Sequence, residues 1–131
     1  MAEPKLTAAF VNRRLQNRYT LPIESGAVLS FPYPPPHGPR LETRIRDVSL
    51  SGLSIELPEQ LWGIEAGDIV KGIEARVERK TFRGDLLVMH VGGTKDAPTV
   101  CGGLFYPEGD EDLITIRLIV RALDAASNAI S

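Results

Sequence analysis

The chain has 131 residues, 43% apolar and 24% charged, with a net charge of −2 and a single cysteine, Cys101. That length suits one domain that can bury a core without disulfides or metals, and a lone cysteine excludes an intrachain disulfide and fits a reducing cytoplasm. The near-neutral charge argues against a nucleic-acid partner, and the absence of a long apolar run or signal-peptide core argues against membrane insertion.

In chain order, residues 1–11 read as a flexible lead. Residues 12–18 hold Arg13, Arg14 and Arg18 in a polar arm. Ala27–Phe31 is the first strand predicted, and it runs into Pro32-Tyr33-Pro34-Pro35-Pro36-His37-Gly38-Pro39. Five prolines there exclude helix and central strand, and Pro34-Pro35-Pro36 favours polyproline II. A second strand covers about 41–48, with Leu41, Thr43 and Ile45 on one face. Ser49-Leu50-Ser51-Gly52 carries turn chemistry before a third strand, 53–57, of clean period 2.

Gly67-Asp68 precedes a fourth strand in which Ile73, Ala75 and Val77 alternate with Glu74, Arg76 and Glu78. Gly84-Asp85 reads as a hairpin turn that opens a fifth strand, 86–91. After a Gly92–Pro98 loop comes a sixth, 100–106. The tail is ambiguous, because its β-branched residues suit a strand. Leu113, Ile116, Val120 and Leu123 nevertheless recur at helical spacing behind an acidic first turn, which predicts a helix over 110–126 and a short tail, 127–131. Six strands at short spacing suggest a barrel or a sandwich.

Two strings carry recognition chemistry. Guanidinium forks match phosphate oxygens and the O6/N7 edge of guanine, which suits Arg13, Arg14 and Arg18. A carboxylate such as Asp47 accepts from guanine's N1–H and N2–H₂. Gly52 lets a flat base approach the backbone. Each string has a plainer reading: a solvated basic arm for the first, an ordinary hairpin turn for Asp47, Ser49 and Gly52 in the second. His90 reads first as a solvent-facing strand histidine. Cys101 and His37 show neither metal-ligand nor nucleophile–base spacing, and no P-loop, GxSxG or HExxH string occurs.

Arg14-Leu15-Gln16-Asn17-Arg18 followed by Asp47-Val48-Ser49-Leu50-Ser51-Gly52 resembles the RxxxR and [D/N]xSxxG motifs of the PilZ domain family. The resemblance spans roughly residues 12–125. It implies a six-stranded antiparallel β-barrel with a C-terminal α-helix, and a non-enzymatic receptor for cyclic di-GMP. It carries ligand contacts onto Arg14, Arg18, Asp47, Ser49 and Gly52, and puts His90 beside the ligand as a peripheral contact. An arginine directly before RxxxR, here Arg13, accompanies an intercalated ligand dimer in the family. It further implies a ligand-ordered arm read by a protein effector. The alternatives are a ligand-independent interaction adaptor and, against the 6% aromatic content, an oligonucleotide-binding barrel.

Overall fold

The computed structural model describes residues 18–94 and 96–130. Seven strands and one long helix follow in order: β1 (Tyr19–Thr20), β2 (Val28–Pro32), β3 (Arg40–Val48), β4 (Gly52–Glu56), β5 (Ile69–Val77), β6 (Lys80–Gly93), β7 (Pro98–Pro107) and α1 (Asp110–Ile130). Six of the strands close a barrel in the order β3-β2-β5-β6-β7-β4 and back to β3, with every pairing antiparallel. This is the expected mainly-β barrel with a C-terminal helix. The addition is β1, which pairs Tyr19 with Val48 and Thr20 with Asp47 at the end of β3.

The alternation of apolar residues fills the barrel. Leu29, Phe31, Ile45, Leu53, Ile55, Ile73, Phe82, Leu86 and Val88 are almost wholly buried. Each such side chain contributes about 1.5–3 kcal/mol. Phe82 and Phe105 meet edge to face with ring centroids 5.3 Å apart, the arrangement that aromatic quadrupoles favour. Helix α1 packs against β6, β7 and β1. Its inward stripe is Ile116, Ile119, Val120 and Leu123, while Leu113 turns outward at 37% exposure. The expected stripe thus loses Leu113 and gains Ile119, and the helix continues to Ile130, four residues past its predicted end.

Three loops depart from the sequence reading. Arg83-Gly84-Asp85 lies inside β6 and forms no turn. A Cβ on Gly84 would fall 2.2 Å from Tyr106 O and 2.7 Å from the Phe105 ring, so this glycine serves close strand and ring packing. The actual β5–β6 turn is Glu78-Arg79, both at positive φ (54° and 69°), as a tight two-residue hairpin requires. The proline loop, in turn, forms no extended polyproline segment. It closes on itself through Tyr33 N–H to Pro39 O (2.9 Å) and Gly38 N–H to Pro34 O (2.8 Å), with cis bonds before Pro34 and Pro36.

Two β-bulges matter most for the site. In β3 the register passes from Ile45↔Ile55 to Asp47↔Ser54, leaving Arg46 as the extra residue. In β6 it passes from Val88↔Gly103 to His90↔Gly102, leaving Met89 extra. Strict alternation would give Asp47 the facing of Ile45, and His90 that of Val88, both core residues. Each bulge resets the parity and turns the polar residue that follows it to the outer face.

Candidate functional site

The two bulges create one feature. Cross-strand partners run Thr20–Asp47–Ser54–Gly102–His90 over β1, β3, β4, β7 and β6. At about 4.8 Å between strands, the row from Asp47 to His90 spans roughly 14 Å. Its middle is low, because Ser54 is small and Gly102 has no side chain. The imidazole lies over that floor: a Cβ on Gly102 would come 2.8 Å from His90 Cε1, 3.0 Å from Nε2 and 3.1 Å from Ser54 Cβ. The row thus joins a carboxylate at one end to an imidazole lying over its other end, with Ser54 and Gly102 buried between them.

Asp47 is the polar centre. Its Oδ1 is buried and accepts no hydrogen bond among the described residues. Arg18 Nη1 lies 3.4 Å away, with its side chain half exposed. Buried acceptors are nearly always satisfied, so an orphaned one needs an explanation. Arg18 is held there by local pairing: β1 binds β3, Leu21 N–H donates to Arg46 O (2.8 Å), and Leu21 is buried in the core. The Tyr19 hydroxyl donates to Asp124 Oδ1 of α1 (2.5 Å). The residue beside Arg18 therefore connects the base of the arm to the C-terminal helix.

Ser49 and Gly52 have structural work in the β3–β4 turn. Ser49 N–H donates to Gly52 O (2.9 Å), and Gly52 N–H donates to Ser49 Oγ (3.2 Å). Ser49 is only 7% exposed. A Cβ on Gly52 would stand 2.1 Å from Gly103 O, so the glycine is required by the β4–β7 approach itself. Arg13 and Arg14 lie outside the described residues.

Other members of this face were not singled out from the sequence. Arg46, the bulged residue, is half exposed and 4.0 Å from Glu56 Oε2, while Arg44 holds the same oxygen at 2.8 Å and donates to Leu21 O at 2.9 Å. The string Arg44-Ile45-Arg46-Asp47 was the available signal for these cations. Ser54 and Gly102 offered none, because they join the row only by register. The cavity of about 390 Å³ lined by Phe31, Tyr33, Leu61, Ile64 and Lys71 is at the proline loop and shares no residue with the row. Cys101 is fully buried, and burial pushes its thiol up to about 11. It faces the core, whereas His37 stands on the exposed proline loop.

Solved structures share this architecture. A Klebsiella protein described as the "K. pneumonia MrkH-c-di-GMP complex" superposes with a TM-score of 0.71 at 18% identity, covering 88% of this chain and 54% of that one. The "PilZ domain with c-di-GMP of YcgR from Escherichia coli" gives 0.64 at 15% identity, over 86% of this chain and 92% of that one. This is a PilZ-like fold. The Bacillus subtilis "Inhibitor of motility (MotI/DgrA)" gives 0.58 at 11%, over 80% and 48%. The chain spans about half the length of the MrkH chain it matches. No family model matches the sequence, and no curated protein does. No helix among the described residues is long and apolar enough to cross a membrane.

Proposed function

We propose that this PilZ-like domain is a receptor for cyclic di-GMP, acting by recognition and not by catalysis. The observation that carries the reading is the buried, unsatisfied Asp47 Oδ1 beside Arg18, at the end of the row floored by Ser54 and Gly102 and closed by His90. Guanine presents N1–H and N2–H₂ to a carboxylate and O6/N7 to a guanidinium, so one base satisfies both ends of the Asp47–Arg18 pair. The intact RxxxR and DxSxxG strings and the fold shared with two chains described with c-di-GMP support the same ligand.

In this reading Arg14 and Arg18 grip phosphates and the guanine edge, and Asp47 accepts from the base. Ser49 and Gly52 hold the turn in shape against the ligand, and His90 stacks at the periphery. Arg13 supplies the charge for a second, intercalated ligand molecule, whose pair carries four phosphates. Unliganded, clustered guanidiniums repel one another and keep high side-chain entropy. Ligand removes the repulsion and orders the arm, and a cytoplasmic protein effector reads the change.

Calorimetric titration with cyclic di-GMP tests this. Micromolar or tighter binding, lost in Arg14→Ala and Arg18→Ala, is expected, with a stoichiometry near two that falls toward one in Arg13→Ala. No binding by the unaltered chain would sink the receptor reading and turn the function to that of a ligand-independent adaptor. Unchanged amide exchange at residues 12–18 under saturating ligand would remove the switch alone.

A further inference from the structure

Helix α1 is apolar on two sides. Ile116, Ile119, Val120 and Leu123 seal the core, yet on the opposite side Ile114 (56% exposed) and Leu118 (47%) form a ridge one turn apart, continued by exposed Ala122 and Ala125. A helix that only covers a barrel needs one apolar stripe and a polar outer face. Charges flank this outer ridge in a fixed order. Asp110 and Glu111 stand in the first turn, Arg117 and Arg121 two to three turns later. None of these four is in an ion pair among the described residues.

We infer that this ridge is a self-association surface, on which a second copy of the chain packs its own α1 antiparallel. The register follows from the ridge. A two-fold axis at the level of Ile116 brings Ile114 of one copy against Leu118 of the other. The same axis sets Asp110 and Glu111 level with Ala122 and Arg121 of the other copy. At 3.6 residues per turn these two acids lie on either flank of the ridge and straddle that guanidinium, within reach of its long side chain. The two copies of Arg121 are then about 15 Å apart along the axis, so like charges do not meet. A parallel pairing would instead stack Arg121 on Arg121 and Glu111 on Glu111. The charge order therefore selects the antiparallel partner, and that partner is a second copy of this chain.

A single helix pair is small beside the ~800 Å² per partner of a standard interface, and the expected dimer is weak, with a dissociation constant on the order of 10–100 µM. The proposal does not rest on the nucleotide reading. Sedimentation equilibrium of the full chain without nucleotide, from about 5 to about 500 µM, should show mass rising from monomer toward dimer. Leu118→Glu changes a half-exposed position and should leave the circular dichroism spectrum unaltered while weakening the dimer roughly 30-fold or more. Glu111→Arg and Arg121→Glu singly should each weaken it by about 3–10-fold, and the double exchange should restore it. A monomer across the whole range, a dimer indifferent to Leu118→Glu, or a double exchange that fails to restore affinity would each overturn the proposal.

Discussion

Asp47 and Asp112 are both carboxylates at the end of a secondary-structure element, and they live opposite lives. Asp112, in the first turn of α1, is fully engaged: Oδ1 accepts from Arg83 N–H (2.8 Å) and Oδ2 from Gly109 N–H (3.0 Å). It closes the helix N-terminus in the manner of a capping box and ties it to β6. Asp47, at the end of β3, has a buried oxygen that accepts no hydrogen bond among the described residues. One region satisfies both carboxylate oxygens by hydrogen bonds that hold the fold, and the other leaves Oδ1 only a half-exposed guanidinium 3.4 Å away. In the receptor reading proposed above, that difference marks the carboxylate that meets ligand.

The sharpest way to break this contrast is at the backbone beneath it. Gly52→Ala forces a Cβ to within 2.1 Å of Gly103 O, which should cost about 2–3 kcal/mol in urea unfolding and take binding with it. Next, Asp47→Ala should lower cyclic di-GMP affinity by about 10–100-fold, with stability changed by less than about 0.5 kcal/mol. Asp112→Ala should do the reverse, costing about 1 kcal/mol of stability with ligand affinity unaltered. If Asp47→Ala destabilises the protein as much as Asp112→Ala does, the role of Asp47 is structural. His90→Ala should reduce affinity by only a few-fold, because stacking at the edge of the row is its one expected contribution.

The smallest effect concerns Cys101, the inward neighbour of Gly102. Burial raises its thiol from 9.0 to about 11. Above pH 9 the unfolded chain releases this proton and the folded chain holds it. The stabilisation is therefore complete below pH 9 and is lost as pH rises through about 11. A Cys101→Val variant should show a flatter fall in stability over that window, and native Cys101 should resist alkylation at neutral pH.

Much of the candidate site could be named from sequence because it consists of local strings. Asp47, Ser49 and Gly52 share six consecutive residues whose turn chemistry is local. The arginine arm was equally visible, though only Arg18 falls among the described residues. The turn role of Ser49 and Gly52 was legible too, but not the second demand on Gly52, its close approach to β7. That demand comes from Gly103, fifty-one residues further along the chain. Gly84-Asp85 misled for the same reason. A glycine followed by an aspartate reads locally as a turn, yet here the glycine makes room for Tyr106 O and the Phe105 ring inside a long strand.

The sequence by itself determined the number and order of the barrel strands, the terminal helix and the two recognition strings. Alternation, helical spacing and turn residues act over a few positions and need no partner to be read. Tertiary structure decided which way the site residues face. The bulges at Arg46 and Met89 shift parity by one residue, turn Asp47 and His90 outward, and join them through Ser54 and Gly102 in one row. A bulge is a property of two paired strands, and the facing of a side chain follows from pairing wherever the local period of two is interrupted.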